Sequence, residues 1–256
     1  MTMKNYNEWW IDFFKGDFAD VVLSINECDK IASFIKEISG VESGANIFDQ
    51  CCGKGHLASE LGKLGFNVTG IDISRDFIDI AKNSFSSPYV RFVHADANEF
   101  IADASFDLVV NWHTSFAYNE ADDDNLRMLR AFASNLKEGG AFVIGTINPL
   151  YVRKNFQKFI VKELPLGDDT IITIRESELD GQMLRSKWTI VYPNGRRERK
   201  YGQTKLYSKE ELCEFLQRFR LQAEKYYGDI EFSDYNEDCQ SLIVYGRKTG
   251  HSIKDF

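Results

Sequence analysis

The sequence is short of positive charge, of long apolar runs and of cysteines placed to crosslink, and each shortage removes a class of protein. Lysine and arginine number 31 against 39 acidic residues, for a net charge of −8. A surface built to hold a nucleic-acid backbone needs a basic face, so no nucleic-acid partner is expected. No apolar stretch approaches the roughly 20 residues of a membrane span, so no membrane partner is expected. The N-terminus carries Lys4, Asp12 and Asp17 among aromatic residues, without the apolar segment and cleavage site of a secretory leader. Five cysteines are an odd number, and the adjacent Cys51 and Cys52 cannot form an ordinary disulfide. That usage fits reduced thiols and a cytoplasmic location. No cysteine–histidine spacing suggests zinc, and no metal is expected. Internal repeats and low-complexity segments are absent too.

What is present is core-forming material: 43% of the 256 residues are hydrophobic and 14% aromatic, enough for one large domain or a domain with an insert. Tyr6, Trp9, Trp10, Phe13 and Phe14 fall at helical spacing and predict a helix over 5–15. This stripe either packs on the domain or closes as an aromatic lid over a ligand, with Tyr6, Trp9 and Trp10 as substrate contacts. A second helix is predicted over 28–39, facing inward with Ile31, Phe34, Ile35 and Ile38 and ending at Gly40. From residue 46 strands and helices alternate. Strands are expected at 46–49, 67–71, 89–94, 106–111 and 141–147, with helices at 56–64, 75–84 and 122–136. Ser74 is the expected N-cap of the second of these. Such alternation implies right-handed crossovers and a parallel sheet covered on both faces.

After Pro149 the period becomes two. Residues 170–178, 182–192 and 197–206 alternate apolar and polar positions between the turn signals Asp180-Gly181 and Pro193-Asn-Gly195, and predict an inserted antiparallel meander. Such a meander is expected to serve as a substrate wall, a homodimer contact, or both, because the parallel sheet cannot cover all its strands. Ser208-Lys-Glu-Glu211 reads as a capping box opening a helix over 209–218. Strands near 221–228 and 240–247 are expected to pair antiparallel.

The chemistry concentrates after the first strand. Asp49-Gln-Cys-Cys-Gly53-Lys-Gly55 is a glycine turn between strand and helix, and its glycines let the backbone pass close under a ligand. The helix that follows points its free amides at the same place. Asp72 ends the second strand, where a carboxylate can accept both hydroxyls of a ribose. Asp96 ends the third, where it can accept from an adenine amino group or serve merely as a loop cap. The glycine turn with Asp72 also fits a dinucleotide fingerprint. Asp49, Asp96 and the antiparallel closing strand weigh against a nicotinamide oxidoreductase.

The pattern Asp49-Gln-Cys-Cys-Gly53-Lys-Gly55, Gly70-Ile-Asp72, Asp96, Phe106-Asp-Leu-Val-Val-Asn111 and Leu136-Lys-Glu-Gly-Gly140 resembles the class I S-adenosylmethionine (SAM)-dependent methyltransferases. The layout, with an insert before the last helix and the Ser-Phe-Ala-Tyr118 turn, is similar to small-molecule members such as the aminodeoxysugar and glycine or sarcosine N-methyltransferases. The resemblance covers roughly residues 28–247. It implies a doubly wound, mostly parallel seven-stranded α/β sheet of Rossmann-like methyltransferase type, with N-terminal helices and the inserted meander. The parts would be an N-terminal helical lid (1–44), a SAM-binding core (45–150), the β insert (151–207) and the completion of the core sheet (208–256). It implies SAM as cofactor, held by Asp49, Cys51, Gly53, Gly55, Asp72, Ile73, Asp96, Ala97 and Asn111. The substrate would lie between the N-terminal helices, the loop 111–118 with Ser115, and the insert. The expected reaction is in-line methyl transfer to an amine or hydroxyl of a small molecule, aligned by the site. His113 and Tyr118 are the candidates to orient the nucleophile or take its proton. The rivals are an RNA or protein methyltransferase and a SAM-binding protein without catalysis. The family usually has glycine where Cys51 stands. Cys51 and Cys52 read as packing residues, since methyl transfer needs no covalent intermediate.

Overall fold

The structure, a computed structural model, describes residues 8–16 and 27–250. Tyr6 and the first residues of the predicted N-terminal helix lie outside the described residues. Two compact units share the chain: one of residues 1–26, 117–121 and 155–206, the other of 27–116, 122–154 and 207–256.

The larger unit is the α/β core. Its strands are β1 (Asn46–Gln50), β2 (Asn67–Asp72), β3 (Val90–His94), β4 (Phe106–Asn111), β5 (Leu136–Ile147), β10 (Leu221–Tyr227) and β11 (Ser241–Lys248), in the order β3-β2-β1-β4-β5-β11-β10. The first five are parallel, whereas β11 runs antiparallel to both β5 and β10. Strand order reverses between β1 and β4, and in open α/β sheets ligands bind outside the strand ends at such a switch point. Strand β1 shows why the central strands are parallel: Ile47 and Phe48 are wholly buried, as a strand covered on both faces requires.

Helices α2 (Cys28–Ser39), α3 (His56–Lys63), α4 (Arg75–Phe85), α5 (Asp122–Asn135), α6 (Pro149–Lys154) and α7 (Lys209–Arg218) belong to this unit. Helix α2 ends where Gly40 turns left-handed at φ 63°, and it packs on α3 and β5. It thus counts with the core, not with the N-terminal segment into which a boundary at residue 44 would put it. Phe77 N–H donates to Ser74 Oγ at the head of α4. Ser208 and Glu211 form the reciprocal capping box of α7. The short helix α6 has no sequence forerunner.

The smaller unit is a four-stranded antiparallel sheet, β6 (Phe159–Leu166), β7 (Asp169–Asp180), β8 (Met183–Val191) and β9 (Arg197–Lys205), in sequential order. The meander has one strand more than its alternation predicts. The extra one is the edge strand β6, where Phe159 and Val161 are exposed and Pro165 interrupts the pattern. Helix α1 spans only Trp9–Phe13. Trp9 and Phe13 are buried in a cluster with Ile171, Ile190 and Tyr192, over Gly202, where a β-carbon would approach the Trp9 ring to 3.1 Å. The described part of the aromatic stripe therefore packs on the inserted sheet, because that sheet offers an apolar face and a glycine at the contact.

Candidate functional site

At the switch point the tips of β1, β2 and β4 bring acidic and amide side chains together inside the core. In register, Asp49 lies opposite Gly70 on β2, and Gln50 opposite Asn111 on β4. The chain leaves β1 through Cys51, which is left-handed at φ 65°. A side chain there costs about 1–2 kcal/mol relative to the ordinary backbone region. Cys52 N–H donates to Ile71 O and Gly55 N–H to Cys52 O, closing the turn. Gly53 is left-handed at φ 55° with open space where a side chain would stand. Gly55 is left-handed too, and a β-carbon on it would press the Phe92 ring at 2.6 Å. No side chain caps the N-terminus of α3, so its first amides face this turn unclaimed by any side chain.

Asp72 organises the turn from the next strand. One carboxylate oxygen accepts from Gly53 N–H at 3.0 Å and the other from Ser74 N–H at 2.8 Å. Burial raises its pKa, against the pull of those amides. A carboxylate has about four lone-pair positions, so two remain for a ligand. Ile73, beside it, is 42% exposed, and His94 Nε2–H donates to Ile73 O. His94 itself is exposed.

Asp49 is only 2% exposed, and its Oδ2 is buried without a hydrogen-bond partner. Burial, with a smaller contribution from the Asp72 charge, pushes its pKa up to about 8. A buried acceptor left open is costly, and a cationic donor would relieve it.

A buried amide pair ties the loops together. Asn111 Nδ2 donates to Gln50 Oε1 at 3.0 Å. Gln50 Nε2 donates to Ala97 O at 3.0 Å and to Met128 O at 3.3 Å. Asn111 Oδ1 is buried and unpartnered. Sequence reading assigned nothing to Gln50, yet a glutamine inside an otherwise apolar buried strand was the available signal. Asp96 folds its own loop: its Oδ1 accepts from the backbone and side-chain N–H groups of Asn98, both at 2.8 Å.

The loop after β4 is strained, with His113 at φ 57° and Thr114 at φ 59°. Trp112 lies against Gly145, where a β-carbon would meet it at 2.9 Å. Ser115 Oγ donates to Trp112 O at 3.1 Å, bracing this loop from within. His113 keeps exposed surface, while crowding by protein lowers its pKa, to about 4. Water at the exposed edge opposes that shift, and the direction alone makes the ring neutral at pH 7. Burial raises the Cys51 and Cys52 thiols well above their usual range, which suits packing and not nucleophilic attack.

Asp49, Cys51, Gly53, Gly55, Asp72, Ile73, Asp96, Ala97, Asn111, His113 and Ser115 thus all belong to the core unit. Tyr118 does not: it belongs to the insert unit, its ring 4.7 Å from Trp9 and stacked on Trp10 at 6.0 Å. Trp9, Trp10 and Tyr118 form one aromatic cluster there with Phe14.

The core is thus a seven-stranded sheet closed by an antiparallel strand, with carboxylates at its first two strand tips. Residues 47–140 match the family described as a methyltransferase domain. The chain is 26% identical over 144 residues to the cypemycin N-terminal methyltransferase of a Streptomyces species, covering 56% of this chain and 59% of that one. It is 32% identical over 146 residues to the ubiquinone biosynthesis O-methyltransferase of Aromatoleum aromaticum, covering 54% and 61%. The chain thus spans about three fifths of these curated relatives. Among solved structures, it shares its fold with a SAM-dependent methyltransferase from Clostridium acetobutylicum (TM-score 0.77, 17% identity, 96% and 99% coverage). It shares it too with an amino pentose methyltransferase from Micromonospora echinaspora (TM-score 0.69, 16% identity, 97% and 98% coverage). Among the described residues, no helix is long and apolar enough to cross a membrane.

Proposed function

We propose that the protein is a SAM-dependent methyltransferase acting on an amine or hydroxyl of a small molecule. The observation that carries this reading is the pairing of Asp49, buried with an open acceptor, with Asp72, whose carboxylate already shapes the glycine turn. A ligand bearing both an ammonium and a ribose diol answers both demands. In this reading Asp49 and the Cys51–Gly55 turn take the amino-acid end of the cofactor, and Asp72 takes the ribose hydroxyls. The Asp96–Ala97 loop takes the adenine, with Ile73 covering the ring. Bound SAM supplies a methyl group on a sulfonium, already a good leaving group. The chain's own task is then alignment and exclusion of water. Ser115 and Asn111 fix the loop that faces the reacting centre, and His113, neutral at pH 7, is available to orient an acceptor N–H or O–H or to take its proton.

The names of relatives that methylate nitrogen and oxygen support the acceptor class. The five free cysteines favour a reducing, cytoplasmic setting. For a homodimer the contact falls on the outer face of the insert, where Val161 and Ile174 pair across β6 and β7 and are exposed with Phe159 and Ile172. Calorimetric titration with S-adenosylhomocysteine and with NAD tests the cofactor. Tight binding of the first and none of the second is expected, and the reverse would end the reading.

A further inference from the structure

The loop after β3, residues 95–98, has strands to lean on at one side only, because β3 is the edge of the sheet. Its internal bonds fold it on itself. Asp96 Oδ1 accepts from the backbone and side-chain N–H groups of Asn98, and Asp96 O accepts from Glu99 and Phe100 N–H. None of these bonds fixes how the loop stands over the strand tips. Ala95 N–H ties it to β2, donating to Asp72 O at 3.1 Å. The tie to β1 is Gln50, whose Nε2 donates to Ala97 O at 3.0 Å.

Gln50 is 1% exposed, and its partners define which way its amide lies. Nε2 faces two carbonyl oxygens, Ala97 O and Met128 O on α5. Reversing the amide would set Oε1 against both of them. Oε1 therefore faces Asn111, which donates to it through Nδ2 at 3.0 Å. That bond in turn leaves Oδ1, not Nδ2, as the open atom of Asn111. One side chain on β1 thus fixes both the loop after β3 and the tip of β4.

The strand itself does not ask for a glutamine. A strand covered on both faces is served by apolar residues, as Ile47 and Phe48 show by being wholly buried. Burying an amide costs its hydration and its rotamer freedom. What it adds here is a set of bonds to the adenine loop, the β4 tip and α5, none of which belongs to the sheet's own ladder.

We propose that Gln50 is a positioning residue for adenine selectivity: through Ala97 O it holds the Asp96 carboxylate where the adenine amino group meets it, and it touches no part of the cofactor itself. The proposal rests on the methyl-transfer reading, which puts the adenine at this loop.

The test is calorimetric titration of the full chain with S-adenosylhomocysteine and with S-inosylhomocysteine, which carries a carbonyl oxygen in place of the adenine amino group. The ratio of the two affinities is the readout, because the ribose and amino-acid contacts, Asp49 included, are common to both ligands. The unaltered chain should prefer S-adenosylhomocysteine by about 10-fold or more, the worth of one charge-assisted hydrogen bond. Gln50→Met keeps the length without the amide and should bring that preference below about 3-fold, since a displaced carboxylate forfeits the bond. Gln50→Glu adds a control that can be switched. A buried carboxyl titrates above its ordinary range, and Asp49, Asp72 and Asp96, which all bear on the neighbouring Cys51, add to the rise. Protonated, the new carboxyl donates to Ala97 O; ionised, it repels that oxygen. Its preference should match the unaltered chain at about pH 5.5 and fall towards about pH 8.5, while the unaltered ratio stays level. An unchanged preference in Gln50→Met, whatever its total affinity, makes Gln50 a packing residue and overturns the proposal. A level ratio in Gln50→Glu does the same, and decides alone where Gln50→Met fails to fold. Failure of the unaltered chain to bind S-adenosylhomocysteine, or to prefer it, would instead overturn the methyl-transfer reading or its placing of the adenine, and the proposal with it.

Discussion

Replacing Asp49 by asparagine should move stability and cofactor affinity in opposite directions. The side chain is 2% exposed, with one oxygen unpartnered, and its pKa is raised to about 8 by burial and by Asp72. The folded chain therefore holds a proton between about pH 4 and pH 8 that the unfolded chain has already released. Stability from this group is present at low pH and is lost as pH rises through that window. The unliganded protein should melt lower at pH 8.5 than at pH 5.5. Asp49→Asn, which keeps shape but cannot ionise, should flatten that dependence and melt higher at pH 8.5. Binding should show the reverse. A charge-assisted hydrogen bond to an ammonium is worth about 1.5–3 kcal/mol, so the variant should bind S-adenosylhomocysteine about 10- to 150-fold more weakly at pH 8.5. In the unaltered protein the affinity should rise as pH climbs towards 8, because the proton must leave before the carboxylate can meet the ammonium. The assays are calorimetric titration in buffers of different ionisation heat, and thermal melts of the unliganded proteins, each at several pH values. Equal affinity of the two proteins across that range, or parallel melting curves, would refute the reasoning.

Asp72→Ala should remove both the ribose acceptor and the acceptor of Gly53 and Ser74 N–H. S-adenosylhomocysteine binding should become immeasurable by titration, with a loss of about 1–3 kcal/mol in denaturant stability. Cys51→Gly should retain turnover and stability, since it relieves a left-handed side chain, whereas Cys51→Val should cost about 1–3 kcal/mol by chemical denaturation. If His113 is the base, His113→Asn should lower turnover by about 10²–10⁴ at saturating cofactor. The acidic limb of the unaltered enzyme's pH–rate profile should then fall below pH 6.5, because burial lowers the imidazole pKa. A modest loss with an unchanged profile would assign the loop to alignment.

The α/β core was legible because its strands are apolar on both faces and its helices carry their own punctuation. Helix α2 begins and ends at the expected residues, Cys28 and Ser39, since Gly40 leaves no alternative to a left-handed stop. Strand β6 was not legible, because an exposed edge strand has no buried face to impose alternation, and its Pro165 reads as a break. The acids at the strand tips could be picked out from spacing, but their condition could not. Nothing in Asp49-Gln-Cys-Cys tells that one carboxylate oxygen lacks a donor, or that Gln50 spans from Asn111 to Ala97. Those facts depend on which strands are neighbours, and β1 meets β4 only after about 60 residues of chain. The surroundings of Tyr118 were hidden for the same reason. It follows His113 closely in sequence, yet its ring joins the Trp9 cluster of the other unit.

The site's polar groups are expensive for the protein by itself. Asp49 and Asn111 each bury an acceptor without a donor, and Cys51, His113 and Thr114 hold left-handed backbones. Each such feature costs on the order of 1–3 kcal/mol. Together they rival the few kcal/mol of net stability that a domain commands. The surrounding structure must therefore over-determine them, and it does. Gln50 is held at both ends of its amide, Asp72 fixes the turn through two backbone amides, and Ser115 braces its own loop on Trp112 O. The amide network keeps the loops after β1, β3 and β4 at fixed separation without using the groups left open. A ligand that supplies the missing donors then gains the whole interaction, with little further ordering of the protein to offset.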